Sequence, residues 1–391
     1  MDIKILRDIN PWWDNDNWKD HDYHLNILKR SRYIYIPKWI DNISLEPFSL
    51  NFVIGPRQIG KTTGLKLLIK KLIENNKINN EKIVYIDCEI FPNFKYLEKY
   101  LLYFLEKDKE RIFILDEVSS LNYWWKPIKL LIDSGKLNDS IVITTGSSSL
   151  KVKKDIELFP GRIGKGKIIE VLPLNFKEYI KLHGIKDYKK DYDKINELFN
   201  KYLDTGGFLS ILNNLPSIEI LKGFINEFIR FNKSEEIIRE IFSSLIPKLP
   251  SSLSYRTIAK DTSGYSYKIV QNYIEFLKDL YIIDIAPLVE GKKILYRKER
   301  KIFFRDPLLL RLFSEWSNVK YLESALYENI VQEHLYRKYG EIYYYKNSYE
   351  VDCISNNLKV EVKEGKSHRN YPKDVIILDK ENIPVFLINL F

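Results

Sequence analysis

The chain has 391 residues, 45% of them hydrophobic, and a chain of this length is expected to fold into two or three domains with packed cores. Its formal net charge of +9 is compatible with nucleic-acid contact, whereas its two cysteines exclude a disulfide framework. Because the sequence has no apolar run of 18 residues and no secretory leader, we expect a cytoplasmic protein that does not enter the membrane.

Aromatic residues are frequent in the first 48 residues and follow no clear period. They include Trp12, Trp13, Trp18 and Trp39. Such a segment either packs against the domain that follows it or presents its rings as a surface on which nucleic-acid bases stack. Packing is the interpretation that we favour.

From Phe48 onward, apolar runs alternate with segments of helical periodicity. In TTGLKLLIKKLIENN, for example, Leu65, Leu68, Ile69 and Leu72 recur on one helical face. Continuous apolar strands separated by helices predict an α/β fold with a parallel sheet that is covered on both faces. The predicted strands are SLNFVIG, KIVYIDCE, RIFILDE, SIVITTG and GKIIEVLPL.

The second half of the chain has a different order of elements. Residues 176–235 are predicted to be helical, with an interruption at Gly206 and Gly207. Residues 236–315 are predicted to form three helices and then two strands around Glu290–Gly291, which is the order of a winged helix-turn-helix. From about residue 318, a helix is followed by the predicted strands EIYYYKN, SYEVDCI, KVEVKEG, DVIILD and PVFLINL.

A phosphate-binding motif, G-x-x-x-x-G-K-[ST], lies between the first of these strands and the first of these helices. Backbone N–H groups of such a loop, together with the N-terminus of the next helix, hold phosphate oxygens. The lysine reaches the β- and γ-phosphates, and the hydroxyl after it coordinates Mg²⁺. The predicted nucleotide site consists of Gly55, Pro56, Arg57, Gln58, Ile59, Gly60, Lys61, Thr62 and Thr63.

Two adjacent carboxylates, Asp116 and Glu117, end the apolar run RIFIL. Asp116 is expected to hold Mg²⁺, directly or through water, and Glu117 to orient or deprotonate the attacking water. An acidic pair at the end of a strand can also cap a helix. The phosphate motif upstream favours the catalytic interpretation.

Polar residues at two further places are candidates for contact with the γ-phosphate. The fourth predicted strand ends in a TTGSSS turn, where either Thr145 or Ser147 could sense the phosphate beside Glu117 or belong to an ordinary turn. Arg162, in FPGR, could stabilise phosphate charge within one subunit or across a subunit boundary of a homo-oligomer, or could be a surface arginine.

These motifs together resemble the predicted archaeal and bacterial ATPases of the AAA+ superfamily. The resemblance rests on NPWW, GPRQIGKTT, ILDEV, TGSSS, PGR, LPLNFKEYI and TGGF, and covers almost the whole chain. It implies ATP rather than a guanine nucleotide, and a five-stranded parallel sheet of order 5-1-4-3-2. Two positions depart from the family pattern. Ile59 stands where valine is frequent, and Leu209 stands where proline is usual, which leaves the role of the glycine turn open.

The same resemblance implies four parts. A lead-in and the P-loop ATPase core occupy residues 1–175, and a helical lid subdomain occupies 176–235. A winged helix-turn-helix at 236–315 is followed by a domain similar to restriction endonucleases at 316–391.

The helix YKIVQNYIEFLKDL is the expected recognition helix of the winged helix. Its buried face is predicted to contain Ile269, Val270, Tyr273, Phe276, Leu277 and Leu280. The side chains expected to face a DNA groove are Tyr267, Lys268, Gln271 and Asn272. Beyond the Glu290–Gly291 turn, the residues expected to contact phosphates are Arg297, Lys298, Arg300 and Lys301. A winged helix used only for protein packing is the alternative.

The C-terminal segment contains a pattern that resembles PD-(D/E)xK nucleases. Because alternate residues of a strand share a face, Glu361 and Lys363 should point the same way, with Asp352 opposite them. The preceding helix offers Glu328 with His334. In such nucleases the carboxylates hold Mg²⁺ and a lysine assists the attacking water. A retained fold that binds DNA or a protein without cleavage is the alternative.

We therefore expect an Mg²⁺-dependent ATPase that acts on DNA and could cleave it. The alternative is a nucleotide-dependent switch or scaffold that binds a protein partner and has no nuclease activity.

Overall fold

The computed structural model separates the chain into two compact units, Met1–Leu172 and Pro173–Phe391. Both cysteines, Cys88 and Cys353, are buried and free. None of the helices in the described part of the chain combines the length and the apolar composition that a membrane span requires. The structure describes residues 3–75, 78–147, 155–188, 190–291, 293–347, 349–363 and 371–391.

The first unit contains a parallel sheet. Its strands are β1 (Ser49–Ile54), β2 (Ile83–Asp87), β3 (Ile112–Asp116), β4 (Ile141–Gly146) and β5 (Ile168–Glu170). Its helices are α1 (Ile3–Ile9), α2 (Tyr23–Arg30), α3 (Lys61–Glu74), α4 (Phe94–Lys107) and α5 (Trp125–Asp133). The strand order is β2-β3-β4-β1-β5, which confirms the predicted α/β fold and the order 5-1-4-3-2.

Alternate residues of these strands enter two hydrophobic cores, one on each face of the sheet. Phe52 and Leu115 lie in the core that α4 and α5 cover. Val53 and Ile114 lie in the other core, together with Leu68 of α3. Because both faces are buried, each strand appears in the sequence as a continuous apolar run.

The N-terminal lead-in covers the edge of the sheet at β2. The Asn10 side chain accepts a hydrogen bond from the N–H of Tyr85 at 2.6 Å and donates one to its carbonyl at 2.8 Å. The indole N–H groups of Trp12 and Trp13 donate to the carbonyl of Ile83, at 3.1 and 2.8 Å. These bonds satisfy backbone groups that an edge strand would otherwise expose. The lead-in tryptophans that are buried, and so cannot stack on bases, are Trp12, Trp18 and Trp39.

The second unit contains helices and a mixed sheet. Its helices are α6 (Phe176–Leu182), α7 (Tyr192–Thr205), α8 (Leu209–Leu212), α9 (Ser217–Arg230), α10 (Glu235–Leu245), α11 (Tyr255–Lys260), α12 (Tyr267–Asp279), α13 (Pro307–Trp316), α14 (Glu323–Tyr339) and α15 (Ile383–Leu390). Its strands are β6 (Ile283–Glu290), β7 (Lys293–Phe304), β8 (Tyr343–Lys346), β9 (Glu350–Ser355), β10 (Leu358–Val362) and β11 (Val375–Leu378). The strand order is β11-β10-β9-β8-β6-β7, with β6 and β7 forming an antiparallel hairpin.

The prediction of a strand at PVFLINL is wrong, because this segment is helix α15. Pro384 lies in the first turn of the helix, where its missing N–H leaves no hydrogen bond unmade. Ile383, Leu387 and Ile388 are buried at helical spacing. A short apolar run does not distinguish a strand from a buried helix by periodicity, which explains the error.

Candidate functional site

Residues 55–60 connect the end of β1 to the start of α3 in a tight loop. Gln58 and Gly60 have left-handed backbone conformations, with φ of 60° and 88°. A Cβ atom at Gly55 would lie 2.0 Å from the carbonyl oxygen of Val171. The loop therefore requires glycine at position 55 for space and favours it at position 60 for conformation.

Lys61 begins α3, and its side chain folds back over this loop. Its Nζ atom donates hydrogen bonds to the carbonyl oxygens of Gly55 and Pro56, each at 2.8 Å. Thr62 and Thr63 follow in the same turn and are half-buried. The first N–H groups of α3 lack helical partners and carry partial positive charge. Together these groups are suited to hold the phosphates of a nucleotide.

Asp116 ends β3, and parallel pairing of β3 with β4 and of β4 with β1 brings it to the same sheet edge as the loop. The carboxylate is 5% exposed. Its Oδ2 accepts a hydrogen bond from the Tyr85 hydroxyl at 2.8 Å, and its Oδ1 accepts one from the Thr145 hydroxyl. Burial and the charge of Asp116 raise the pKa of Tyr85 well above its usual range, so Tyr85 remains a donor. Both oxygens are thus oriented by neutral groups.

Glu117 lies beside Asp116 in a left-handed conformation, with φ of 50°. Its Oε1 accepts hydrogen bonds from the N–H and the hydroxyl of Ser147, at 3.0 and 2.7 Å, and from the hydroxyl of Ser119. Burial acts to raise the pKa of Glu117. The charge of Lys61 and the hydrogen bonds from the two serines outweigh burial and lower that pKa below its ordinary value. Glu117 is therefore ionised at neutral pH.

The structure distinguishes the two residues proposed as γ-phosphate sensors. Thr145 donates to Asp116 and accepts a hydrogen bond from the N–H of Glu117 at 2.8 Å. Ser147 contacts Glu117 through both its N–H and its hydroxyl. Thr145 thus orients the expected metal ligand, and Ser147 orients the expected base. Ser148 and Ser149 lie outside the described residues.

Sequence reasoning missed Tyr85 and Ser119, and it also missed the buried Lys66. The Nζ atom of Lys66 lies 3.8 Å from the centroid of the Tyr85 ring and 5.1 Å from that of Trp12. Burial lowers the pKa of Lys66, against the charges of Asp22 and Asp116. A lysine among the apolar positions of α3 was an available signal, whereas nothing local marked Tyr85.

Arg162 follows Gly161 and forms an ion pair with Asp133 at the end of α5. Its Nε donates to Asp133 Oδ1 at 2.6 Å. The pair is partly exposed, and water and salt screen the attraction between exposed charges, so this contact contributes little to stability. Arg162 can therefore exchange this partner for another anion.

The residues at the sheet edge fit a magnesium ion that is bound together with phosphate. Mg²⁺ in such sites takes one or two protein oxygens and completes its shell with water and substrate phosphate. The hydroxyl of Thr62 and the carboxylate of Asp116 are donors of this kind. Within the described ranges, no group of three or more His, Cys, Asp or Glu side chains is placed to hold a metal by itself.

A second group of carboxylates, in the C-terminal unit, surrounds the ammonium of Lys301. The Lys301 Nζ atom lies 2.8 Å from Glu328 Oε1, 3.0 Å from Glu350 Oε1 and 2.6 Å from Asp352 Oδ1. Burial alone would lower the pKa of Lys301, but these three charges raise it well above its usual range. Burial and the charge of Asp352 raise the pKa of Glu328 well above its usual range. The prediction that Lys301 contacts phosphate is wrong, because its side chain is buried and paired.

Glu361 and Lys363 lie next to this group on β10. Lys363 pairs with Glu361 Oε1, which also accepts a hydrogen bond from the Tyr371 hydroxyl at 2.9 Å. The N–H of Asp352 donates to Glu361 Oε2 at 3.2 Å. Burial and the charge of Asp352 raise the pKa of Glu361. The structure thus brings together the four predicted residues, Glu328, Asp352, Glu361 and Lys363, and adds Lys301 and Glu350, which were not predicted there.

His334 does not belong to this carboxylate group. Its Nε2 accepts a hydrogen bond from the N–H of Phe176 at 3.0 Å, and its Nδ1 donates to the carbonyl of Ile330 at 2.8 Å. Burial and the charge of Arg337 lower its pKa to about 3. The expectation that His334 acts with Glu328 is therefore wrong, because both ring nitrogens hold neighbouring backbone.

Helix α12 buries a face that differs slightly from the predicted one. Val270, Ile274 and Leu277 are buried at spacings of four and three, while Ile269 is 39% exposed. Ile269 was therefore assigned wrongly, and Ile274 was missed. The four residues predicted to contact DNA all lie on the exposed side: Tyr267, Lys268, Gln271 and Asn272.

The β6–β7 hairpin contains an irregularity that its sequence did not indicate. Pairing passes from Pro287–Arg300 directly to Leu288–Leu295, so residues 296–299 loop out of β7. We call these four residues the hairpin bulge. The backbone of Arg300 pairs with that of Leu253, which fixes one end of the bulge. Tyr296 is 68% exposed, and Arg297 and Lys298 are exposed beside it.

The glycine turn at Gly206 and Gly207 is a packing site within the second unit. The N–H of Gly207 donates to Asp306 Oδ2 at 2.9 Å. A Cβ at Gly207 would lie 2.0 Å from the carbonyl oxygen of Leu174. Close backbone approach therefore accounts for this glycine without a nucleotide.

Residues 48–180 match the family model described as AAA domain. Residues 227–320 match a model described as a domain of unknown function (DUF8612). An uncharacterized protein of Methanocaldococcus jannaschii is 26% identical over 434 residues, covering 100% of this chain and 93% of that protein. An uncharacterized protein of Haemophilus influenzae is 24% identical over 366 residues, covering 87% and 88%. The Aeropyrum pernix ORC2 protein, solved as ADPNP-ADP complexes, is similar at 12% identity and a TM-score of 0.39, covering 69% of this chain and 88% of that one.

Proposed function

We propose that the first unit binds ATP with Mg²⁺ and hydrolyses it, and that the protein uses this activity on DNA. The observation that carries the proposal is the meeting of three groups at one sheet edge: the P-loop with Lys61, the oriented carboxylate of Asp116, and the ionised Glu117. This combination of a phosphate cradle, a metal ligand and a base is what phosphoanhydride hydrolysis requires.

Each residue has a role that its contacts support. The Lys61 ammonium donates hydrogen bonds to two loop carbonyls in this structure. When ATP binds, it would donate instead to the β- and γ-phosphates. Thr62 and Asp116 would hold Mg²⁺, which neutralises phosphate charge when it is bound. Glu117 would accept a proton from the attacking water, and Ser147 holds its carboxylate for this purpose. Arg162 would meet the γ-phosphate, within one subunit or from a neighbouring copy in a homo-oligomer.

The DNA-binding part of the proposal rests on the second unit. Helices α10, α11 and α12 followed by the β6–β7 hairpin have the order of a winged helix-turn-helix. Helix α12 leaves its polar side chains exposed, as a recognition helix does. The hairpin bulge adds an exposed aromatic ring and two cations, Arg297 and Lys298, which suit base stacking and phosphate contact.

Cleavage of DNA by Glu328, Asp352, Glu361 and Lys363 is not part of this proposal. The ammonium of Lys301 lies 2.8 Å from Glu328 and 2.6 Å from Asp352 of that centre, and 3.0 Å from the neighbouring Glu350. The same contact favours the alternative in which the C-terminal domain binds DNA or a protein and cleaves no DNA.

ATP hydrolysis by Glu117→Gln tests the assignment of the base. The substitution keeps the size of the side chain and removes its charge, so we expect hydrolysis to fall at least about a hundredfold while ATP still binds. Glu106→Gln, at an exposed position of α4, is the matched control and should hydrolyse ATP at the wild-type rate. Wild-type turnover by Glu117→Gln would reject this site.

DNA binding is tested by its dependence on salt. Each phosphate contact contributes about 0.9 to the slope of log K against log salt concentration. Arg297→Ala should reduce that slope by about this amount, whereas Lys222→Ala, exposed on α9, should leave it unchanged.

DNA binding that does not depend on salt, or an ATPase rate that DNA does not change, favours the alternative of a nucleotide-dependent switch or scaffold. A size measurement with and without ATP tests whether Arg162 can act between copies.

A further inference from the structure

The carboxylate group around Lys301 does not fit a metal ion. The Lys301 Nζ atom stands 2.6–3.0 Å from one oxygen each of Glu328, Glu350 and Asp352. These are lengths of hydrogen bonds between ions, whereas Mg²⁺ needs its oxygens at about 2.0–2.1 Å. An ammonium and a metal ion cannot share the position between these oxygens.

The lysine is held within the group by hydrogen bonds and by charge. Its ammonium donates hydrogen bonds to Glu328 Oε1 at 2.8 Å and to Asp352 Oδ1 at 2.6 Å, and it forms an ion pair with Glu350 Oε1 at 3.0 Å. Asp352 Oδ2 accepts from the N–H of Val362 at 2.9 Å, and Glu328 Oε1 also accepts from Gln332 at 2.7 Å. The side chain of Lys301 is 3% exposed, so its charge is compensated by these residues rather than by water.

We propose that Lys301 is the built-in cation of this centre. Its ammonium fills the place between Glu328, Glu350 and Asp352 that a metal ion would need for cleavage, and the C-terminal domain therefore cleaves no DNA. The carboxylates instead clasp strand β7 to strand β9 and helix α14.

The ion pairs of Lys301 also hold the base of the β6–β7 hairpin in place. Lys301 lies two residues after the last residue of the hairpin bulge, at the point where β7 passes from exposed to buried. Holding Lys301 therefore fixes the base from which the bulge projects. The carboxylates that would otherwise serve cleavage position the exposed cations of the hairpin.

The test is a titration of nucleotide-free, full-length protein with Tb³⁺, whose emission is sensitised by a nearby tyrosine. The Tyr344 ring centroid lies 5.9 Å from the Lys301 Nζ atom, so an ion at that position is within range. Lys301→Ala should bind Tb³⁺ with a Kd at least about tenfold lower than the wild type, because three carboxylates lose their cation. Adding Asp352→Asn to Lys301→Ala should return the affinity for Tb³⁺ to that of the wild type.

Lys338→Ala is the matched control, because it removes an exposed lysine from α14, the helix that carries Glu328, and leaves the P-loop as in the wild type. It should bind Tb³⁺ as the wild type does. The proposal is overturned if wild-type protein binds Tb³⁺ or Mn²⁺ at a site that Asp352→Asn abolishes, or if it cleaves DNA with Mg²⁺ in an Asp352-dependent way. These wild-type assays decide the matter even where Lys301→Ala does not fold, since absence of both effects supports the clasp.

Discussion

Acidification should destabilise the second unit through His334, and His334→Gln should remove that sensitivity. His334 is buried in its neutral form, with Nδ1 donating to Ile330 and Nε2 accepting from Phe176. A second proton on Nε2 would place an N–H against the N–H of Phe176, so protonation must break this contact.

The expected size of the effect follows from the two pKa values. Burial and the charge of Arg337 lower the pKa of His334 to about 3, whereas an unfolded histidine titrates near a pKa of about 6.5. At a pH between these two pKa values, His334 binds a proton in the unfolded chain but not in the folded chain. The free energy of unfolding therefore falls as the pH falls below about 6.5, and the loss between pH 7 and pH 5 is about 2 kcal/mol.

The assay is urea denaturation at pH 7 and at pH 5, followed by far-ultraviolet circular dichroism. Other groups titrate in this range, so the informative quantity is the change between the two pH values in the wild type minus the change in His334→Gln. We expect a difference of about 2 kcal/mol. His21→Gln, at an exposed position, should behave as the wild type. Equal losses in the wild type and in His334→Gln would refute the assignment of a buried neutral histidine.

Two further substitutions test the nucleotide site. Ser147→Ala removes a hydroxyl that donates to Glu117 at 2.7 Å, so the pKa of Glu117 should rise and the acidic limb of the ATPase pH profile should move to higher pH. Ser134→Ala, at the end of α5, is the control for that profile. Gly55→Ala would place a Cβ 2.0 Å from the carbonyl of Val171. It should abolish nucleotide binding in a calorimetric titration and reduce the free energy of unfolding by about 1–3 kcal/mol, and full ATP binding would contradict the loop geometry.

Features that depend on neighbouring residues in the chain were predictable. The P-loop requires glycine and lysine at fixed spacing, and five apolar runs separated by helices predict a parallel sheet. The order of the strands came from a resemblance to known ATPases, and the structure confirms it.

Features that depend on pairing between distant residues were not predictable from spacing. The Tyr85 hydroxyl reaches Asp116 because β2 and β3 pair with Asp87 opposite Asp116. Lys301 contacts Glu328 and Asp352 because the fold brings strands β7 and β9 and helix α14 together. No sequence motif predicts this contact. The prediction for the short apolar segment PVFLINL was wrong for another reason. Its apolar residues can be buried equally well in a strand or in a helix, and tertiary packing determines which of the two forms.

The contrast between the two carboxylate sites shows why a cluster of acidic residues does not by itself indicate chemistry. Both oxygens of Asp116 accept hydrogen bonds from neutral hydroxyls, which orient the carboxylate and leave its negative charge for a cation that arrives with phosphate. The oxygens around Lys301 already have a cation, supplied by the chain. Because buried charge must be compensated, the identity of the donor determines whether a metal is needed. We therefore propose that the chemistry of this protein takes place at Asp116 and Glu117, and that the Lys301 group has a mechanical role.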